Sequence, residues 1–286
     1  MKELVVLSGK GGTGKTSIVG SFAAISREKV LADCDVDAAD LHLLLAPKTK
    51  EEIEFWSGQV ASIDKDKCTE CGLCLDLCRF GAIADFTVDS TSCEGCGFCY
   101  HVCPADAIIM SECLAGHWFI SNTDFGPLVH ARLGIAQENS GKLVAVVRKE
   151  ARELAQKQEL RYIITDGPPG IGCPVISSLS GANLALLVTE PTLSGIHDLE
   201  RVLSVCQHFG VPAMVCINKY DINEENTHKI EQHCADQGVT VASKIQYDAI
   251  FTEALVHNKP VVEYSGGRVT TELESLWWNI SKHIDN

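Results

Sequence analysis

Eight of the fourteen cysteines lie in two runs of identical spacing. Each run has the form C-x2-C-x2-C-x3-C, and the two runs begin at Cys68 and Cys93. Three closely spaced thiolates can cap one face of an iron–sulfur cubane, and the fourth cysteine of such a run ligates the neighbouring cluster. The spacing therefore predicts two [4Fe–4S] clusters.

The same spacing assigns the ligands of each cluster. One cluster would be bound by Cys68, Cys71, Cys74 and Cys103. The other would be bound by Cys78, Cys93, Cys96 and Cys99. Pro104 follows the second run whereas Arg79 follows the first, but the number of thiolates is the same. Zinc is the alternative metal, although zinc sites favour two cysteine pairs separated by a longer loop.

A glycine-rich stretch near the first residue has the form of a phosphate-binding loop. It fits G-x-x-x-x-G-K-[ST] and comprises Gly9, Lys10, Gly11, Gly12, Thr13, Gly14, Lys15 and Thr16. In such a loop the backbone N–H groups turn toward phosphate oxygens, the final lysine contacts the β- and γ-phosphates, and the hydroxyl binds Mg²⁺. An apolar run precedes the stretch and a helical pattern follows it, which favours this interpretation over a chance glycine turn. We predict a site for the phosphates of a nucleotide and for Mg²⁺.

Polar side chains end several other apolar runs of the sequence. Asp33 and Asp35 end one run, Asp166 ends a second and Asn218 ends a third. Asp166 would hold Mg²⁺ through water. The Gly-Pro-Pro-Gly stretch after it, residues 167–170, permits a backbone that repositions when a γ-phosphate leaves.

The elements that must position these residues follow from hydrophobic periodicity. Helical patterns separate the apolar runs, which predicts an α/β fold with a doubly wound, mostly parallel sheet and ligands at the carboxyl ends of its strands. The predicted strands cover residues 4–7, 30–33, 162–166, 184–189 and 213–218, and helices are predicted at 15–27 and 142–157.

The alternation of strand and helix is interrupted between residues 61 and 112. Within this segment residues 68–83 resemble residues 93–108. An internal repeat inside an α/β domain indicates an inserted module. We therefore predict an ATPase domain in two parts, residues 1–60 and 113–286, with the cysteine module at 61–112. Residues 124–131 are predicted to be a shaped loop that returns the chain to the ATPase domain.

Composition narrows the class of partner. The chain has 286 residues and a formal net charge of −14, which argues against sequence-independent binding to nucleic acid. It has no signal-peptide pattern and no apolar run of about 18 residues, so we expect a cytoplasmic protein without a membrane partner. Residues 62–112 contain nine acidic and three basic side chains, which suits either a basic redox partner or simple solubility.

With Lys10 near its start, the phosphate loop resembles the K-G-G-x-G-K-[ST] motif of a family that includes MinD, ParA, Mrp and the nitrogenase iron protein. In that family the extra lysine reaches the nucleotide of a partner subunit. The resemblance implies an ATP-dependent homodimer, or a dimer with a close paralogue. It also implies that Lys10, Lys15 and Asp35 are catalytic, with Asp35 orienting the attacking water. Asp33 would support Mg²⁺, and Asn218 would bind adenine.

The cysteine runs are similar to those of bacterial ferredoxins, so the chain resembles MinD-superfamily ATPases with an inserted ferredoxin domain. By analogy with the nitrogenase iron protein, this implies ATP-gated electron transfer to an acceptor protein. One alternative is an assembly factor that delivers an iron–sulfur or metal cofactor to an acceptor. Another is a positioning protein, as in MinD or ParA.

Residues 245–248 resemble an element of this family that closes over the nucleotide base, with Gln246 where proline is usual.

The remaining cysteines and the C-terminus carry weaker signals. Cys173 follows the stretch 167–170, which is predicted to reposition when the γ-phosphate leaves. The nitrogenase iron protein has a cluster-bridging cysteine in the corresponding segment, but a small buried or turn cysteine is the other interpretation of Cys173. Cys113 has no assignment. A C-terminal helix that buries Trp277 and Trp278 against the core is expected. The sequence pattern predicts that four cysteines are core or surface filler: Cys34, Cys206, Cys216 and Cys234.

Overall fold

The computed structural model describes residues 1–134 and 139–285, and the chain divides into two compact units. The first unit comprises Met1–Glu52, Trp118–Arg132 and the chain from Ser140 onward. The second unit is centred on Ile53–His117. The predicted module at 61–112 lies inside the second unit, whose borders fall within two long strands rather than in linkers.

The secondary-structure elements of the described chain are as follows. The strands are β1 Lys2–Ser8, β2 Lys29–Asp33, β3 Lys48–Ile63, β4 Ile83–Ala84, β5 Thr87–Val88, β6 Ile108–Thr123, β7 Gly126–Leu133, β8 Tyr162–Pro169, β9 Leu184–Thr189, β10 Ala213–Asn218 and β11 Thr240–Ile245. The helices are α1 Lys15–Ile25, α2 Leu41–Leu45, α3 Leu73–Leu77, α4 Phe98–Val102, α5 Ser140–Lys157, α6 Cys173–Leu179, α7 Leu193–His208, α8 Glu224–Asp236, α9 Ile250–Val256, α10 Val261–Tyr264 and α11 Arg268–Asp285. A 3₁₀ turn covers Tyr220–Ile222.

The main sheet has the strand order β11-β10-β9-β1-β8-β2-β7-β6-β3. Every neighbouring pair from β11 to β7 is parallel. The predicted α/β fold with a mostly parallel sheet is confirmed. Because β1, β8 and β2 are adjacent and parallel, their carboxyl ends meet at one edge, where Asp33 is the register partner of Asp166. That edge is the place where a doubly wound sheet binds ligands.

The core lies on both faces of the sheet. Along β1, Leu4 and Val6 belong to one buried cluster, whereas Val5 and Leu7 belong to the other. This alternation follows from the two-residue period of a strand whose faces are both covered. Helices α1 and α11 contribute to the first cluster, and α6, α7 and α8 contribute to the second.

The C-terminal helix α11 docks as predicted, but it packs only one tryptophan of the pair against the core, and that residue, Trp277, is partly buried. The ring of Trp277 packs 5.2 Å from that of Phe22 and 5.5 Å from that of Tyr162. Trp278 is 68% exposed, so the expectation that both tryptophans are buried is wrong. Consecutive residues point about 100° apart on a helix, and the apolar stripe of α11 includes only one of them. Within the described ranges, no helix is both long enough and apolar enough to span a membrane.

The stretch 124–131 is not the loop that its glycine and proline suggested. Residues 124 and 125 form a turn, and the rest of the stretch belongs to strand β7. The Thr123 hydroxyl closes this turn, because it donates to the carbonyl of Gly126 at 2.7 Å and accepts from the N–H of Phe125 at 3.1 Å. Proline is tolerated near the start of a strand, and the apolar residues after it are buried in the sheet.

The second unit is built from two similar halves. Each half has a five-residue helix, α3 or α4, which begins after a glycine in the left-handed conformation, Gly72 or Gly97. Each then ends in a buried alanine, Ala82 or Ala107, whose carbonyl accepts a backbone N–H at 2.8 Å. The internal repeat of the sequence is therefore also a structural repeat, and the segment contains short helices that hydrophobic periodicity did not predict.

A buried histidine on β7 makes stability depend on pH. His130 is stacked 4.9 Å from Phe119 and 6.0 Å from His42, and its Nε2 lies 3.1 Å from the Ser121 hydroxyl. Burial, reinforced by His42 and Arg132, lowers the pKa of His130 from 6.5 to about 4. Between pH 6.5 and about 4, the ring therefore stays neutral in the folded state but binds a proton in the unfolded chain.

We expect the His130 contribution to be complete above pH 6.5 and to be lost as the pH falls toward 4, because protonation then favours the unfolded chain. The loss should reach about 3 kcal/mol in the free energy of unfolding. In denaturant titrations between pH 7.5 and 4.5, the free energy of unfolding should fall less steeply with decreasing pH for His130→Gln than for the wild type. The exposed His197→Gln serves as control; equal slopes for all three proteins would contradict the assignment.

Candidate functional site

The glycine loop connects β1 to α1, as predicted. Gly14 immediately precedes α1 with a φ of 89°, a conformation that glycine adopts without strain. A Cβ added to it would lie 2.4 Å from Nδ2 of Asn218. That amide is 2% exposed and donates to the carbonyl of Thr13 at 2.7 Å. The close approach of β10 to the loop thus requires glycine at position 14.

The Lys15 side chain is buried among carboxylates at the carboxyl edge of the sheet. Its ammonium donates to Oδ1 of Asp166 and lies 3.6 Å from Oδ2 of Asp35. Lys15 is 6% exposed, Asp166 is 1% exposed and Asp35 is 15% exposed. Asp33 is fully buried and accepts backbone N–H groups from Asp35 at 3.2 Å and Leu41 at 3.3 Å. The structure therefore brings together the three acids that the sequence analysis singled out.

Burial and mutual repulsion set the ionisation of this group. Burial and the neighbouring Asp166 raise the pKa of Asp33 well above its usual value. Burial also raises the pKa of Asp35, to about 6, although Lys15 opposes the shift. For Lys15, burial lowers the pKa, but the attraction of Asp166 and Asp35 outweighs it and the net shift is upward. Three carboxyls thus face one ammonium, which leaves an excess of acidic groups.

Two buried polar atoms beside this group lack a hydrogen-bond partner in the described chain: Oδ2 of Asp166 and Oγ1 of Thr13. Buried polar atoms in proteins are normally paired with protein, water or an ion. Carboxylate and hydroxyl oxygens are the ligands that Mg²⁺ prefers. The residues present therefore fit a hydrated Mg²⁺ ion and the phosphates that accompany it. Thr16, the other predicted Mg²⁺ ligand, lies at the second position of α1 and is partly exposed.

The second lysine of the loop, Lys10, points back onto its own chain. Its ammonium lies 2.6 Å from Glu190, 3.2 Å from the Ser194 hydroxyl and 3.4 Å from the Thr192 hydroxyl. Lys219 also contacts Glu190, at 3.1 Å. Sequence reasoning missed Glu190. The available signal was its position in the sequence. Glu190 directly follows the apolar run of β9, just as Asp33 and Asp166 end the apolar runs of β2 and β8.

A cleft beside the loop contains the residues that were expected around a base. It is lined in part by Gly12, Asn218, Lys219, Tyr247 and Asp248. The Tyr247 side chain is 57% exposed, and its backbone N–H donates to Asp221 at 2.7 Å. Asn218 and the 245–248 stretch are therefore neighbours in the fold. That the cleft binds adenine stays a prediction.

The eight cysteines of the second unit surround two cavities. One cavity is lined by Cys68, Cys71, Cys74 and Cys103. The other is lined by Cys78, Cys93, Cys96 and Cys99, together with Cys74. This is the grouping that the crossed ligand pattern predicts, with the last cysteine of each run joining the other run. Iron binding at these cavities stays a prediction.

The arrangement of the cysteines differs from that of a single-ion site. Among the residues that the structure describes, no three His, Cys, Asp or Glu side chains converge as the ligands of one ion would. A zinc ion with Zn–S bonds of about 2.3 Å holds its sulfurs within about 4 Å of each other. A cubane instead carries its thiolates on four different iron atoms, so its ligands surround a cavity. Backbone N–H groups already point at two of the sulfurs, from Glu70 to Cys68 and from Ala107 to Cys103.

The other cysteines divide into core and surface positions. Cys34, Cys206, Cys216 and Cys234 are all buried, in agreement with the prediction that they are filler. Burial raises the pKa of each, to about 12 for Cys206 and about 11 for Cys234, so these thiols stay protonated. Cys113 donates to the carbonyl of Ser57 at 3.1 Å. Cys173 is exposed at the first position of α6, so it is not a buried cysteine.

Comparison with known proteins identifies related sequences along the whole chain. The profile of the CobQ/CobB/MinD/ParA nucleotide binding domain matches residues 4–261. An uncharacterized protein of Methanocaldococcus jannaschii is 37% identical over 285 residues, which cover 99% of this chain and 97% of that protein. The septum site-determining protein MinD of Bacillus subtilis is 24% identical over 161 residues, which cover 54% of this chain and 59% of that protein.

Solved structures of low sequence identity share the fold. The cell division ATPase MinD of Pyrococcus furiosus superposes with a TM-score of 0.60 at 18% identity, covering 99% of each chain. MinD of Pyrococcus horikoshii, complexed with Mg-ADP, gives a TM-score of 0.60 at 17% identity, covering 99% of this chain and 96% of that one. MinD in the MinC:MinD complex of Aquifex aeolicus gives 0.59 at 16% identity, with the same two coverages of 99% and 96%.

The close contact at Gly14 generates a stability prediction. Gly14→Ala must adopt a positive φ and displace the Asn218 amide, so the free energy of unfolding should fall by about 2–4 kcal/mol and nucleotide affinity by more than about tenfold. Gly210→Ala is the matched control, because Gly210 also has a positive φ of 65° but a Cβ there meets nothing within 4 Å. It should cost only about 1 kcal/mol. Equal losses in the two variants would show that the Asn218 contact does not matter.

Proposed function

The chain belongs to the CobQ/CobB/MinD/ParA nucleotide-binding family and is a P-loop ATPase of the MinD/ParA type, and we propose that it is an ATP-dependent switch that recruits a partner protein. The observation that carries this proposal is the buried Lys15 ammonium between Asp166 and Asp35, beside a glycine loop at the carboxyl edge of a parallel sheet. Such an arrangement suits the binding and cleavage of a polyphosphate.

The roles that we propose for the site residues are those that the family motifs imply, and this geometry supports them. Lys15 would leave the Asp166 carboxylate for the β- and γ-phosphates, and Thr16 with Asp166 would hold Mg²⁺, supported by Asp33. The unpaired Oδ2 of Asp166 supports this assignment. Asp35, the most exposed of the three acids, would orient the attacking water. Phosphoryl transfer depends mainly on positioning and charge neutralisation, so a partly buried carboxylate suffices for this task.

Dimerisation and partner binding complete the proposed switch. The loop motif supports an ATP-dependent homodimer in which Lys10 reaches the nucleotide of the second copy. A protein partner is supported by the MinC:MinD complex of Aquifex aeolicus. The relatives named above that carry an assigned role are cell-division or septum-site proteins. The comparisons therefore favour a positioning role over electron transfer.

A second candidate function is favoured by one specific observation, the two cysteine-lined cavities of the second unit. We propose that each holds a [4Fe–4S] cluster, because each is lined by at least four thiols. In the first cavity, backbone N–H groups are also directed at the sulfurs of Cys68 and Cys103. Bound clusters would supply one-electron transfer, and N–H donors to the sulfurs tune the reduction potential. The chain would then couple its nucleotide switch to a redox acceptor, or deliver a cluster to an acceptor as an assembly factor.

Iron analysis tests the cysteine cavities. Anaerobically purified protein should contain about eight iron atoms and about eight sulfides per chain. Cys99→Ser should reduce both numbers, because a hydroxyl is a poor replacement for a thiolate in the second cavity. Cys173→Ser is the matched control outside both cavities and should keep the full content. Zinc in place of iron, or unchanged iron in Cys99→Ser, would contradict the proposal.

The same variants separate the candidate roles. Partner recovery that depends on ATP and persists in iron-depleted Cys99→Ser would support positioning. ATP-dependent reduction of an acceptor by the wild type, absent in the variant, would support electron transfer. Loss of iron from the protein to an apo-acceptor during turnover would support assembly.

Substitution of Asp35 tests the ATPase assignment. Asp35→Asn keeps the size of the side chain but removes the charge that would orient water, so kcat for ATP hydrolysis should fall by about 100-fold. Nucleotide binding should be retained, because Lys15 and the glycine loop are untouched. Asp37→Asn, an exposed acid two residues further on, should hydrolyse ATP like the wild type. Wild-type turnover by Asp35→Asn would refute the role given to this residue.

A further inference from the structure

Glu190 joins Lys10, which belongs to the glycine loop, to Lys219, which directly follows β10. It directly follows β9, the strand beside β1. One of its carboxylate oxygens lies 2.6 Å from the Lys10 ammonium, and the other lies 3.1 Å from the Lys219 ammonium. The Glu190 side chain is 13% exposed, whereas Lys10 and Lys219 are 32% and 29% exposed. The carboxylate is therefore the least exposed member of a three-residue ion network.

The backbone around Glu190 is held in place by hydrogen bonds at the start of α7. The Glu190 carbonyl accepts the N–H of Thr192 at 2.7 Å. The Thr192 hydroxyl in turn accepts the N–H of Gly195 at 3.0 Å, which caps α7. A Cβ on Gly195 would lie 2.3 Å from the Glu190 carbonyl oxygen, so the chain packs tightly here. This segment fixes where the carboxylate meets the two lysines.

The Lys10 ammonium has a full set of partners on its own chain. It contacts Glu190, the Ser194 hydroxyl at 3.2 Å and the Thr192 hydroxyl at 3.4 Å. An ammonium has three N–H donors, so these three acceptors can satisfy it. Lys10 must therefore release at least one of these contacts before its ammonium can bind another anion, and Glu190 is the charged and nearest partner of the three.

Lys219 connects the same carboxylate to the glycine loop. Its ammonium donates to the carbonyl of Gly12 at 3.3 Å as well as to Glu190. Burial raises the pKa of Glu190, but hydrogen bonds from Lys10 and Lys219 outweigh burial and the net shift is downward. The carboxylate is thus ionised at neutral pH and competes with other anions for Lys10.

We propose that Glu190 is a positioning residue that holds Lys10 against its own chain and so restrains nucleotide-dependent dimerisation. The competing anion is the polyphosphate of a nucleotide bound to a second copy of the chain. This inference rests on the proposed function, in which Lys10 reaches across the dimer. The Glu190 carboxylate and the polyphosphate on the second copy compete for the Lys10 ammonium. Neutralising Glu190 removes the competitor within the chain, so Lys10 is free to bind the polyphosphate.

The test measures dimerisation and Lys10 accessibility separately, on the full chain purified without oxygen. With Mg²⁺ and the non-hydrolysable analogue AMPPNP, sedimentation velocity should give a dimer dissociation constant about fivefold lower for Glu190→Gln than for the wild type. Without nucleotide, acetylation of Lys10 by an N-hydroxysuccinimide ester should be about threefold faster in the variant. Lys149, which is 68% exposed, is the internal reference for reagent reactivity.

Two variants control for charge and for structure. Glu200→Gln removes one negative charge from α7 at a side chain that is 49% exposed, and it should match the wild type in both measurements. Glu190→Asp keeps the carboxylate and should restore slower Lys10 acetylation. A merely structural role for Glu190 would lower stability without accelerating the labelling of Lys10 relative to Lys149.

Each contrary result has a distinct meaning. Unchanged Lys10 acetylation in Glu190→Gln would overturn the intrachain pairing. Faster acetylation with an unchanged or weaker dimer would overturn the restraining role. If neither protein dimerises with AMPPNP while nucleotide still binds, the dimer of the proposed function fails and the restraint fails with it, whereas the acetylation result still decides whether Glu190 holds Lys10.

Discussion

The ammonium group of Lys15 is buried at the edge of the sheet and has to be neutralised there. An unpaired charge in this position would carry a desolvation cost of several kcal/mol, so carboxylates must lie within contact distance. Asp166, on β8, and Asp35, two residues beyond the end of β2, meet this requirement. Their placement depends on β1, β8 and β2 being adjacent and parallel, because only then do the three strand ends reach the same point. The charge pairing and the sheet topology therefore depend on each other.

The glycine loop is subject to a second constraint, which is steric. The Asn218 amide lies against Gly14 and donates to the carbonyl of Thr13, so β10 contacts the loop directly. The loop is consequently held from both sides, by acids on β2 and β8 and by an amide on β10. A phosphate site prepared in this way requires little rearrangement of the backbone when the ligand arrives. What must change are side-chain partners, chiefly those of the two loop lysines.

The two units of the chain raise different chemical possibilities. The first unit contains the glycine loop and the buried acids on which the proposed nucleotide switch depends. The second unit contains two cavities lined by thiols, which such a switch does not require. The alignment with the Methanocaldococcus jannaschii protein covers 99% of the chain and so includes both units. Both units therefore belong to the region that this relative shares.

The sequence alone determined those features whose geometry is contained in a few consecutive residues. The glycine loop from Gly9 to Thr16 and the two cysteine runs are of this kind, because their spacing already limits what they can surround. Only the tertiary structure decided the rest. The contact between Lys10 and Glu190 joins residues 180 positions apart, and the strand nature of 126–131 depends on neighbouring strands. The packing of Trp277 but not Trp278 against the core depends on where α11 docks. Such pairings arise from the packing of distant elements, and no local pattern of residues encodes them.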